Sequence, residues 1–73
     1  MSPALPVVSG KEIVVALAKA GFAQVVQRGS YAKPRDQSGR TVIVPLHREL
    51  ARGTLSVIVR QAAMTATEFI NLL

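Results

Sequence analysis

The sequence has no cysteine, no tryptophan and one histidine, and its aromatic residues are one tyrosine and two phenylalanines. Without cysteine there is no disulfide, no zinc–thiolate site and no thiol nucleophile. One histidine cannot build a His-rich metal cluster. Acid is also scarce: four Asp and Glu stand against nine Lys and Arg, a formal net charge of +5. That imbalance points to a polyanion, an acidic partner protein or an anionic membrane surface. Long hydrophobic runs are missing too. The longest uncharged apolar stretch, Ile13 to Ala18, ends at Lys19, far short of the roughly 20 residues needed to span a bilayer. Met1 to Val8 has neither a basic n-region nor a long apolar core, so it does not read as a signal peptide. A reducing cytoplasm is the expected setting. Seventy-three residues make one small domain, and a domain of about 60 residues buries only about 60% of its unfolded surface. Any active site must therefore lie on the surface.

What is present sorts into alternating periods. Residues 1 to 8 carry Pro3 and Pro6 and read as a loose leader, leaving 9 to 73 as the domain. Ser9-Gly10-Lys11-Glu12 has the spacing of a capping box, and Ile13, Ala16, Leu17 and Ala20 follow as a buried helical stripe. Gly21 stands where a helix ends. Beyond it the period becomes two: Phe22, Gln24, Val26 and Arg28 on one strand face, Ala23, Val25 and Gln27 on the other. Gly29-Ser30 predicts a turn, Tyr31 to Arg35 the returning strand, and Asp36 to Gly39 a second turn. Arg40 to Val44 predicts a third strand, with Pro34 expected to make the pairing irregular because it has no N–H to donate. Leu46 to Arg52 reads as a polar loop. Thr54 is expected to cap a helix with Leu55, Ile58, Val59 and Ala62 inward, and Thr65 to Glu68 to open a short final one. The order predicts an α+β domain.

Seven of the nine basic residues lie between Arg28 and Arg60. Arg28, Lys33, Arg35 and Arg40 fall in the strands and turns, Arg48, Arg52 and Arg60 in the loop and second helix. Such a concentration suits a phosphate backbone; the alternative is a solubilising surface. Tyr31 is the one aromatic near it, too few for a base-stacking platform. His47 is the one side chain suited to acid–base work near neutral pH, or else a loop histidine bonded to a backbone carbonyl. Ser30 is a nucleophile or a turn hydroxyl. No glycine-rich phosphate loop and no complete catalytic set is present. From the residues alone the chain is a basic module for RNA or for an acidic partner.

Several motifs occur together in order: Ser9-Gly10-Lys11-Glu12, Ala18-Lys19-Ala20-Gly21-Phe22, Gln27-Arg28-Gly29-Ser30, Ser38-Gly39-Arg40-Thr41-Val42, Val44-Pro45-Leu46-His47, Gly53-Thr54-Leu55 and Ile58-Val59-Arg60-Gln61-Ala62. In this the chain resembles the HicA, or YcfA-like, toxins of bacterial type II toxin–antitoxin systems. The resemblance implies a double-stranded-RNA-binding-domain-like α-β-β-β-α fold, with a three-stranded antiparallel sheet and a short extra C-terminal helix. It implies an mRNA interferase, a metal-independent endoribonuclease without cofactor or membrane, neutralised by a HicB antitoxin that covers the Gly29–Lys33 hairpin and the basic face. The family's catalytic histidine follows the Gly-Ser of the first hairpin. Here Gly29-Ser30 is followed by Tyr31 and Ala32, and the resemblance places the histidine at Ala32 first and Tyr31 second. The pattern is that of a degenerate homologue or of a deliberate exchange to alanine. The basic strands and the turn between them make Arg28, Gly29, Ser30, Lys33, Arg35 and Arg40 the expected RNA contacts. Binding without cleavage is then expected. Pro34 departs from the aromatic or apolar residue usual in the family.

Overall fold

A computed structural model describes residues 5–73; Pro3 and the start of the leader lie outside the described residues. The elements are α1 (Gly10–Lys19), β1 (Gln24–Arg28), β2 (Tyr31–Arg35), β3 (Val44–Pro45), α2 (Arg52–Gln61) and α3 (Ala66–Ile70). The strands form one antiparallel sheet in the order β1-β2-β3. The α+β, double-stranded-RNA-binding-like architecture is as expected. At 16 Å through its thinnest direction the molecule has room for two layers, so one face of the sheet stays uncovered.

The ends of α1 follow from its sequence. The Ser9 hydroxyl accepts from the Glu12 N–H, and the Glu12 carboxylate accepts from the Ser9 N–H, at 3.2 and 3.1 Å. At the other end Phe22 N–H donates to Leu17 and Gly21 N–H to Ala18. Gly21 holds φ +100 and both Leu17 and Phe22 are buried: a Schellman stop with its apolar clasp. Ile13, Ala16 and Leu17 enter the core as expected, but Ala20 does not. It is the C-cap and is exposed, while Val14 takes the remaining inward position.

Three further expectations are corrected. Residues up to Val8 are not all loose: Val8 is buried, and its carbonyl accepts from Leu50 N–H at 3.0 Å. Helix α2 starts at Arg52 on Ala51, without a side-chain cap, so Thr54 sits one turn inside. Leu50 and Leu55, both buried in one cluster, occupy the positions of a hydrophobic staple and fix that start instead. The third strand is shorter than Arg40 to Val44. Thr41 bridges to Arg35 and Val44–Pro45 pairs with Tyr31 and Ala32, with a gap between. The gap lies opposite Pro34, which accepts from Val42 N–H but returns nothing. The capping box at Thr65 and Glu68 opens α3, whose Phe69 is fully buried.

The core joins Ile13 and Leu17 of α1, Val42 and Val44 of the third segment, Leu55 and Ile58 of α2, and Phe69. Lys19 Nζ reaches the Leu72 carbonyl at 3.1 Å, tying the last residues to α1.

Candidate nucleic-acid interface

Position in the strands decides what each candidate residue can do, because successive side chains point to opposite faces. Gln24, Val26 and Arg28 of β1 stand opposite Arg35, Lys33 and Tyr31 of β2. These six share the outer face. Val25 and Gln27 pair with Pro34 and Ala32 and share the inner face with α1. Burial along β2 follows the alternation: Ala32 and Pro34 are buried, Tyr31 and Lys33 half-buried and Arg35 exposed.

Gly29 has φ +57 and Ser30 does not share the sign, the pattern of a II′ hairpin turn. This two-residue turn sets the register that sends Arg28, Lys33 and Arg35 outward together. Lys33 Nζ lies 5.6 Å from the centroid of the Tyr31 ring, within cation–π range. The outer face is dished between Gln24, Val26, Arg28, Lys33, Arg35 and Thr41, and no acid lines it. Arg35 leans over the next turn, where its guanidinium would lie 3.4 Å from a β-carbon on Gly39. That turn is built on Asp36, whose Oδ1 accepts from Ser38 Oγ at 2.7 Å, Arg40 N–H at 2.8 Å and Ser38 N–H at 3.0 Å. The Ser38 hydroxyl above all, then the Arg40 and Ser38 amides and the Arg40 charge, hold the Asp36 carboxyl below its ordinary value. Ser30 is part of the scaffold: its carbonyl accepts from Leu46 N–H at 2.7 Å, and Gly29 and Ser30 are both exposed.

The two positions for the family histidine are on opposite sides of the sheet. Tyr31 stands on the outer face with the cations. Ala32 is 2% exposed and lines an inner groove of about 470 Å³ between α1, β1 and the loop after β3, with His47, Lys11 and Arg48 at its margin. Sequence reading placed Arg28 and Lys33 beside Ala32 as one site; the structure does not bring them together. His47 is exposed, and it is its backbone carbonyl, not its ring, that is engaged, accepting from Gly10 N–H at 2.9 Å. That His47 and Ala32 line one groove was not legible in the sequence, since it follows from the pairing of β3 with β2 and the docking of the α1 N-terminus on the loop. Arg52 and Arg60 lie on exposed positions of α2. Among the described residues no three His, Cys, Asp or Glu gather as a metal site, and no helix is long and apolar enough to cross a membrane.

No curated protein matches the chain. The family model described as the HicA toxin of bacterial toxin–antitoxin systems matches residues 10–64, well over half of the length. That span holds the capping box of α1 from Gly10 on, the hairpin and its cations, the inner groove and α2. The chain is a member of the HicA toxins, and such a toxin is paired with an antitoxin.

Proposed function

We propose that the outer face of the sheet binds RNA, that the chain has the scaffold of an mRNA interferase neutralised by a HicB antitoxin, and that it does not cleave. The observation that carries this reading is the row of Arg28, Lys33 and Arg35 along a sheet face lined by no acid, with Tyr31 beside Arg28 and Lys33. Three cations on one strand pair can each neutralise a phosphate, and the lack of a second accessible aromatic favours backbone over base contacts.

The chemistry rests on RNA itself. A neutral imidazole takes the proton of the 2′-OH. The oxygen attacks the adjacent phosphorus, the bond to the 5′-oxygen breaks as that oxygen takes a proton from the imidazolium or from water, and a 2′,3′-cyclic phosphate and a 5′-OH result. Arg28 and Lys33 would stabilise the extra negative charge on the phosphorane. No metal is required for any of these steps. Neither tyrosine at 31 nor alanine at 32 supplies a base poised near neutral pH, and the loss of such a base costs about 100- to 10,000-fold.

Burial favours position 31 over position 32 for the missing base. A base must come within about 3 Å of the proton it takes, and a side chain at 31 stands among the cations. One at 32 grows into the groove on the other face. The test is RNA cleavage and growth arrest by Tyr31→His and by Ala32→His, each beside the parent chain. Tyr31→His is expected to raise cleavage at least about 100-fold, with Ala32→His near the parent. Cleavage restored only by Ala32→His would move the site to the groove, and no gain from either would leave a binding module.

A further inference from the structure

The two edges of the sheet are finished differently. Val42, and Leu46 beyond β3, donate to the Pro34 and Ser30 carbonyls of β2, so even-numbered residues here face the neighbouring strand and Ile43 faces outward. Its N–H is taken up by Gln61 Oε1 of α2 at 3.0 Å. That edge is closed. By the same alternation Tyr31, Lys33 and Arg35 bond to β1, through Arg28, Val26 and Gln24. The N–H and C=O groups of Val25 and Gln27 then point away from the sheet, and among the described residues no other backbone group bonds to them.

β1 also lacks the devices that guard an edge. Its sequence Gln-Val-Val-Gln-Arg has no proline, no lysine and no inward charge, and every residue in it is exposed. α1 packs on β2 and β3, which leaves the inner side of β1 uncovered. There Val25 is 41% and Val15 of α1 59% exposed, facing one another across the groove. Lys11, His47 and Arg48 line that groove and no carboxylate does.

We propose that β1 is the docking strand for the antitoxin: an extended, acidic segment of the partner adds to this edge as a fourth strand. Its main chain bonds to Val25 and Gln27. Its inward apolar side chains fill the groove beside Val15 and Val25, and its carboxylates meet Lys11, His47 and Arg48. This rests on the pairing with an antitoxin that family membership establishes. Charge selects the occupant. A second copy pairing β1 to β1 would set two sets of Arg28, Lys33 and Arg35 on one continuous face, each molecule carrying a net charge of +5. An acidic strand meets no such opposition. A strand seated here also runs beside Arg28, so the body of the partner can overhang the cationic face.

The test is amide hydrogen exchange on the full chain, alone and with its antitoxin. Val25 and Gln27 amides are expected to exchange freely alone and to slow by about 100-fold or more in the complex. Val25→Pro removes an N–H that faces away from the sheet, and is expected to weaken the complex by about tenfold with the melting temperature little changed. Should that variant misfold, Val15→Asp, which leaves the backbone alone, is expected to weaken the complex similarly by placing a carboxylate on the apolar wall against an acidic segment. Tight binding with both amides still exchanging freely overturns the docking strand. Protection in the free chain together with a dimer mass makes a second copy the occupant and also overturns it. Failure of the unaltered chain to bind the antitoxin overturns the pairing on which the inference rests.

Discussion

Gly10 opens α1 at a point where a β-carbon would strike the Pro45 carbonyl and come within 2.9 Å of Leu46 Cα. Its N–H bonds to the His47 carbonyl, so the helix start and the loop after β3 are held backbone to backbone. Replacing glycine by alanine inside a helix ordinarily stabilises by about 0.5–1 kcal/mol. Here Gly10→Ala is expected to destabilise by about 1–3 kcal/mol through overpacking, which thermal unfolding would show as a fall in Tm. A rise in Tm would mean that the loop yields freely. Asp36 makes a second prediction. Its carboxyl is held below its ordinary value of 3.8 by the Ser38 hydroxyl first, so the stabilisation it lends is complete above that value. It is lost as pH falls through the lower value of the folded chain. A carbon-detected titration should find the Asp36 midpoint below 3.8 and see Ser38→Ala raise it. An unmoved midpoint would assign the shift to the two amides and the Arg40 charge.

The helices end in the same way on different residues. After α2, Met64 N–H donates to Val59 and Ala63 N–H to Arg60, the same Schellman pair that closes α1. Where α1 has Gly21, α2 has Ala63 at φ 56. An L-residue in that region costs about 1–2 kcal/mol, so Ala63→Gly is expected to raise stability by about 1 kcal/mol. In a domain of this size that is a Tm gain of about 4–8 °C; no gain would show the strain to be relieved elsewhere. This is also where the sequence was hardest to read. Ser9 and Glu12, Thr65 and Glu68, and Gly21 are local signals, and each acts where its spacing says. The end of α2 has no glycine and its start has no capping side chain, since Leu50 and Leu55 set it through the core. The alternation along β1 and β2 was legible, and so was the break at Pro34. What alternation in one strand cannot show is which face α1 covers. Arg28, Lys33 and Ala32, close in the chain, therefore read as one site although the sheet lies between them.

At the scale of the whole molecule, charge is divided between surfaces. Arg28, Lys33 and Arg35 hold the outer face, Lys11 and Arg48 the groove, and Arg52 and Arg60 the exposed side of α2. If RNA lies on the outer face, its affinity falls with salt by a slope of about 0.7 per phosphate contact for a single strand. Arg28→Ala with Lys33→Ala is then expected to lower the slope by about 1.4, and Arg52→Ala with Arg60→Ala to leave it near the parent. A filter-retention series across salt concentrations reads both. Equal losses from the two pairs would mean that RNA is held by overall charge and not by one surface. The hairpin that creates this division is two residues long, and its length has a genetic consequence. One codon inserted at Gly29-Ser30 would shift β2 by one place against β1, and with period-two alternation every side chain of β2 would change sides. Lys33 and Arg35 would turn toward α1, and Ala32 and Pro34 would meet solvent. The loop between β3 and α2 joins no paired strands and carries no such constraint, so in-frame insertions should be found there and be missing from the first hairpin.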